Sequence, residues 1–167
     1  MGERFSMKCL NRPKVQEQFS VLGVRIRAKE NMFMEINTIK QVLRVKAVYV
    51  EKISCSRSGL NGSFEINPRL TFHVLRPNES KLLKVVCNMV ISSSPRPTPF
   101  DISLEMIGEY KVNDLNIIDS SSDKEIVEAV GDIILAEASL VVSFITSSMS
   151  MIPFVIPPCV PEEYQVK

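Results

Sequence analysis

The last quarter of the chain, from Asp123 to Pro158, constrains the fold most. An apolar helix pattern there runs into the proline-bracketed segment Pro153, Phe154, Val155, Ile156, Pro157 and Pro158. Within Ile126 to Met149 the large apolar residues Ile126, Val130, Ile133, Ile134, Val141, Phe144, Ile145 and Met149 recur at steps of three and four, the spacing of one helical face. Ser120, Ser121, Ser122 and Asp123 offer N-cap choices, and Asp123 and Glu125 place negative charge where a helix dipole favours it. Pro153 disfavours a helical Ile152, so the spacing predicts a helix from near Asp123 to between Ser148 and Met151. Such a helix has about 25 residues and is roughly 37 Å long.

From Ile133 to Ile145 the pattern is apolar on nearly every side, interrupted mainly by Glu137, Ser139 and Ser143. A single sheet covers only one face of a helix. Two readings follow: a helix buried across one sheet, or one that also packs against a second subunit through Ile133, Ile134, Leu140, Val141 and Phe144. A membrane span is rejected, because the run is shorter than the roughly 18 to 20 apolar residues a bilayer needs and carries Glu137.

Everything upstream reads as sheet. From Lys40, the residues Leu43, Val45, Ala47, Tyr49, Ile53 and Cys55 fall on one parity and Arg44, Lys46, Lys52 and Ser54 on the other, which predicts a first long strand. After the turn chemistry of Ser56 to Ser63, a second strand carries Phe64, Ile66, Leu70, Phe72 and Val74 on one side. Pro68 lacks an amide hydrogen and places that strand at an edge or a bulge. A third strand follows with Leu83, Val85, Cys87, Met89 and Ile91, and a fourth with Phe100, Ile102, Leu104, Met106, Tyr110 and Val112. Consecutive strands joined by short turns imply an antiparallel meander with one apolar face, which the long helix covers. The expected fold class is therefore α+β, a four-stranded antiparallel meander packed by one long C-terminal helix. Its parts are an extension over 1–39, a domain over 40–160 and a short tail over 161–167.

With 167 residues, one core can bury roughly 70% of the unfolded surface. The net charge of +1 supplies no field for nucleic acid or an anionic membrane, so neither is expected as a partner. Cys9, Cys55, Cys87 and Cys159 are widely separated, without the paired spacing of a zinc or redox site, and fit a reducing cytoplasm. Met1 to Lys14 lacks the apolar run of an export signal. The basic stretch Met1 to Asn37 is either a docking arm for an acidic partner or a peripheral packed segment, with Val21 to Arg27 alternating weakly as a short strand.

Little in the chain points to catalysis, and no enzyme activity or cofactor is expected. The single histidine, His73, has no placed acid or nucleophile beside it. The six glycines do not form a phosphate loop. Glu105 and Glu109 share a strand face about 13 Å apart, too far to work as a pair on one bond. Apolar surface remains. Met149 and Met151 are adaptable side chains, although core filling is the default for methionine. The segment Ile152 to Val160 is held extended by prolines and can form one wall of a groove for unfolded peptide.

Four antiparallel strands, a polar crossover, a long helix and a proline-containing apolar loop together resemble the protein-export chaperone SecB and its SecB-like relatives. Local matches are Val48 to Ser54 in the first strand, Gly108 followed by Tyr110 in the fourth, and Ile145 to Met149 leading into Pro153. The resemblance covers about Lys40 to Pro158. It implies an ATP-independent holdase for non-native polypeptides, active as a homo-oligomer, either a dimer or a dimer of dimers built through an edge strand and the helix. By that analogy the groove contacts are Tyr49, Phe72, Phe100, Tyr110, Met149, Phe154, Val155 and Ile156. Two departures qualify the likeness. Where SecB meets the SecA motor through acidic positions, this chain has Lys52, Ser56 and Ser103, which puts SecA binding in doubt. The second helix and acidic tail of SecB have no counterpart before Lys167. The leading expectation is a holdase for non-native polypeptide, with protein export as the process such a holdase serves. The alternative is a SecB-like interaction protein dedicated to one client, such as the chaperone of a toxin-antitoxin system.

Overall fold

The computed structural model describes residues 35–57, 65–77, 81–94, 100–149, 153–161 and 163–167. The readings of Met1 to Lys14 and of Val21 to Arg27, and the residues Cys9, Met151 and Ile152, lie outside them.

A helix, α1, runs over 35–42 among the described residues and leads directly into β1 (Leu43–Arg57). The strands β2 (Glu65–Leu75), β3 (Leu82–Ser94) and β4 (Phe100–Val112) follow, then helices α2 (Leu115–Ser120) and α3 (Asp123–Ser148), and finally the short β5 (Gln165–Val166). The α+β class, the antiparallel strands and the long C-terminal helix are all present. The helix boundaries fall where the caps and Pro153 place them. Ser122 accepts from the Glu125 amide while Glu125 accepts from the Ser122 amide, so two otherwise unpaired donors are satisfied reciprocally.

The strand order is β1-β4-β3-β2-β5, which corrects the expected simple meander. β2, β3 and β4 are consecutive antiparallel neighbours, but β1 lies beside β4 instead of β2, a Greek-key order. The physical reason lies in the two strands concerned. β4 is buried at every second residue along most of its length, which suits an interior strand, whereas β1 carries charged residues and irregular pairing, which suit an edge. Pro68 fits its place: among the described residues only β5 lies beyond β2, and it pairs with Thr71 and Phe72 and not with Pro68.

β1 departs from its sequence parity. Register shifts between Val45 and Ala47, and again between Val50 and Lys52, each insert an extra residue. Between the two shifts the strand turns over. Val48 opposes Gly108 and Val50 opposes Met106 on the helix side, while Ala47 opposes Glu109 and Tyr49 opposes Ile107 on the outer face. Ala47 and Tyr49 therefore lie opposite the face expected of them. Past the second shift Ile53 and Cys55 return to the helix side, against Leu104 and Ile102.

The core fills the space between α3 and β2, β3 and β4. Phe72, Met89, Leu104, Met106 and Tyr110 from the sheet meet Ile126, Ile134, Leu135 and Val142 from the helix, all essentially inaccessible. Ile39 of α1 is also buried there, so the segment before residue 40 contributes to the same core. Arg76 at the end of β2 fastens the helical end. Its guanidinium donates to the carbonyls of Ile118 and Ser121 and to Asp123 Oδ1, bridging the close of α2 and the opening of α3.

Candidate functional site

Helix α3 has three environments along its length. One side lies on the sheet. A second carries Asp132, Ser139 and Thr146, and along it runs the segment from Pro153 to Val160, which turns where the Cys159 amide donates to the Pro157 carbonyl at 2.8 Å. Thr146 Oγ1 accepts from the Phe154 amide at 2.9 Å, Ser139 Oγ from the Ile156 amide at 3.1 Å, and Asp132 Oδ1 from the Val160 amide at 3.1 Å. Ile156 and Val160 are buried by this contact, whereas Val155 between them is 63% exposed. The chain then reaches β2, where Tyr164 packs edge-on against Phe72 with ring centroids 5.7 Å apart and the Lys167 amide donates to the Phe72 carbonyl. Tyr164 Oη also donates to Glu128 Oε1 at 3.4 Å, and burial is the main cause raising the pKa of both groups.

Among the described residues, nothing covers the third side of α3. Ile133, Leu140 and Phe144 stand on it at steps of seven and four, and Phe144 is 74% exposed. By length and composition α3 is apolar enough to cross a membrane, and half of its most apolar window is buried within this fold. Val45, Val50 and Ile53 are also exposed on the helix side of β1, because α3 packs chiefly against β4 and β2 and only sparsely over β1. Exposed apolar patches of this kind occur at protein–protein, membrane and ligand-binding surfaces.

The expected site residues divide sharply between surface and core. Phe72, Phe100, Tyr110 and Ile156 are at most 3% exposed and pack in the core. Tyr49 is exposed, but on the outer face, where its hydroxyl donates to Glu109 Oε1 at 3.4 Å. Met149 and Phe154 are half-buried against the core, and Val155 faces outward. Of the residues expected to meet a second subunit, Ile133, Leu140 and Phe144 are exposed. Ile134 is fully buried against the chain's own sheet and Val141 is partly buried, so these two serve the core. The polar residues Asp132, Ser139 and Thr146 escaped sequence reasoning as a set. Their signal was a seven-residue spacing of short hydrogen-bond acceptors through an otherwise apolar helix.

The outer face of the sheet is charged and balanced. Glu109, 9% exposed, lies between two ammonium groups, Lys84 at 2.8 Å and Lys46 at 3.1 Å. Hydrogen bonds from Lys84 and then Lys46 outweigh the cost of burial and hold its pKa down at about 2. Nearby, Lys52 pairs with Glu105 at 3.0 Å beside Ser103, and these residues line an open depression with Glu51 and Asn88. His73 stands on this same face, opposite Val86. Among the described residues, no group of three histidine, cysteine or acidic side chains is placed to hold a metal.

No protein-family profile matches the chain, and no curated protein does. Solved structures do. The SecB-like chaperone Rv1957 of Mycobacterium tuberculosis, determined with a ChAD peptide from the Rv1956 HigA1 antitoxin, aligns over 75% of this chain and 97% of its own, with a TM-score of 0.59 and 6% identity. A protein of unknown function from Streptococcus agalactiae aligns over 68% of this chain and 95% of its own with a TM-score of 0.40 and 15% identity, a likeness too loose to carry an argument. The first similarity shows that the chain has the SecB-like fold.

Proposed function

We propose that this protein is an ATP-independent holdase that binds non-native polypeptide. The observation that carries the reading is the apolar surface exposed among the described residues, on α3 at Ile133, Leu140 and Phe144 and on β1 at Val45, Val50 and Ile53. That surface suits capture of unfolded segments, because hydrophobic burial is non-directional and tolerates varied sequences. The SecB-like fold and the peptide-bound state of the mycobacterial relative support the same reading. Part of the surface serves self-association: the stripe at Ile133, Leu140 and Phe144, with the outer edge of β1, which has no strand partner among the described residues, joins two copies into a homo-oligomer.

A second reading has its own support. The peptide in the mycobacterial structure comes from an antitoxin, which favours a chaperone dedicated to one client over a general holdase for export. The experiment is anisotropy of a labelled, reduced and carboxymethylated polypeptide that cannot fold, titrated with this protein with and without ATP. Saturable binding indifferent to ATP supports the proposal, and an absence of binding overturns it. Equal affinity for several such polypeptides favours the general holdase; binding confined to one natural partner favours the dedicated one.

A further inference from the structure

The balance of charge on the outer face of the sheet fails at one corner, and we propose that this corner docks a short acidic stretch of a partner polypeptide. The inference goes beyond the holdase reading and does not depend on it.

The corner lies where the start of β1, the end of β4 and the start of β3 run side by side. Arg44 opposes Lys111 on β4, and Lys111 opposes Leu82 on β3. Together with Val45, Lys46 and Lys81 these residues line an open depression. One carboxylate stands close by. Glu109 is already engaged by Lys46 and Lys84, and the exposed Arg44, Lys81 and Lys111 form no ion pair among the described residues. Farther along the sheet the excess ends, because Lys52 pairs with Glu105 and Asp101 stands opposite Ser56. The whole chain carries only +1, so the corner is a local concentration of positive charge.

Two features show that the fold does not require these cations. Arg44 and Lys111 are directly opposed, with Cβ atoms about 5 Å apart, and like charges in that position destabilise a strand pair. An acidic residue at either place would attract instead of repel. Lys81 has a φ of 52°, in the left-handed region that glycine enters at less cost. Its carbonyl accepts from the Val112 amide at 2.9 Å, a bond that glycine would supply equally well. Both placements lower stability and both add charge to the same depression. Departures from local preference of this kind accompany functional sites.

Charge complementarity makes the occupant a carrier of carboxylates. Val45, which is 52% exposed, and Leu82 add apolar contact beside the cations, and this mixture suits a peptide that combines acidic with apolar residues. Nucleic acid fits less well. It binds through many phosphates in succession, whereas the positive field here is confined to one corner of a nearly neutral chain.

The test is fluorescence anisotropy on the intact protein with a short labelled peptide that alternates glutamate with valine. Three other probes are compared: the same peptide with glutamine in place of every glutamate, a single-stranded DNA oligonucleotide, and vesicles containing phosphatidylserine. The glutamate peptide is expected to bind saturably, more weakly as salt is raised, and at least about tenfold more tightly than the other three. Lys111→Glu sets opposite charges across β1 and β4, and Lys81→Gly suits the left-handed backbone. Affinity for the glutamate peptide falls by at least about tenfold in Lys111→Glu and about threefold in Lys81→Gly, while the urea midpoint of neither variant falls. Absence of binding, equal or tighter binding of any other probe, or full affinity in Lys111→Glu overturns the inference. So does a lowered midpoint in both variants, which assigns these lysines to folding instead.

Discussion

Tyr110 lies over Gly108, its neighbour two residues back on the helix-facing side of β4. A Cβ at Gly108 would stand 2.7 Å from Tyr110 Oη and 3.0 Å from Ile134 Cδ1. The bare backbone lets the ring fold flat beneath α3 and bring its hydroxyl within 3.4 Å of the Val130 carbonyl, where it donates its hydrogen. Gly108→Ala is therefore expected to destabilise the fold by about 1–3 kcal/mol through overpacking. Urea unfolding reads this as a lower midpoint at unchanged slope. In a Tyr110→Leu background the same substitution costs less, since the two nearest atoms it strikes are gone and only Ile134 Cδ1 remains, and a double-mutant cycle measures the difference.

Arg76 holds two helices by their ends. Arg76→Ala leaves the Ile118 and Ser121 carbonyls and the Asp123 carboxylate without this partner. The expected loss is about 1–3 kcal/mol, the scale of hydrogen bonds to a charged group. Hydrogen exchange locates the damage: amides of α2 and the first turn of α3 lose protection before those of β3. Uniform loss across the sheet would contradict the assignment.

The cluster on the outer face sets a pH dependence. Glu109 is shifted from an ordinary value of 4.5 to about 2 in the folded protein, chiefly by Lys84 and then Lys46. A depressed carboxylate binds fewer protons folded than unfolded. Its contribution to stability is thus fully present above about pH 4.5 and declines as the pH falls toward 2. Chemical denaturation between pH 6 and about pH 2 follows this decline, and Glu109→Gln flattens that part of the curve. A variant with the same acid limb as the native protein would remove Glu109 from the account.

The bare stripe on α3 separates assembly from folding. Leu140→Ser with Phe144→Ser changes two exposed side chains, so the stability of one subunit shifts by no more than about 0.5 kcal/mol per site. If these residues join two copies, mass measurement in solution shows the native protein as an oligomer and the double variant as a smaller species. A native protein that is strictly monomeric contradicts this use of the stripe.

Sequence revealed what local chemistry controls and missed what long-range pairing controls. Helix α3 was legible because Ser122, Glu125 and Pro153 mark its ends chemically. The faces of β3 and β4 were legible because their alternation is unbroken. β1 was not: its two bulges turn the strand over between Val45 and Lys52, and nothing in the alternation of Ala47, Val48, Tyr49 and Val50 marks where an extra residue is inserted. Its place beside β4 depends on contacts between residues some sixty positions apart, such as Lys46 with Glu109, which no local pattern encodes. The site was half legible for a related reason. Apolar periodicity identified Phe144 and Ile134 alike as helix-face residues, and only the packed sheet decides that one is bare and the other buried. The prolines of 153–160 point to an extended segment, yet it turns between Pro157 and Cys159, and its anchorage on Ser139 and Thr146 joins backbone to side chain across a turn of the chain.

The central claim is that this fold holds unfolded polypeptide without an energy source. Light scattering of a reduced, aggregating model protein tests it most directly, with this protein added at increasing ratio in the absence of nucleotide. The account predicts that scattering is suppressed in proportion to added protein and reaches completion near stoichiometric amounts, with ATP making no difference. Undiminished scattering at stoichiometric protein, at low and high salt alike, would contradict it.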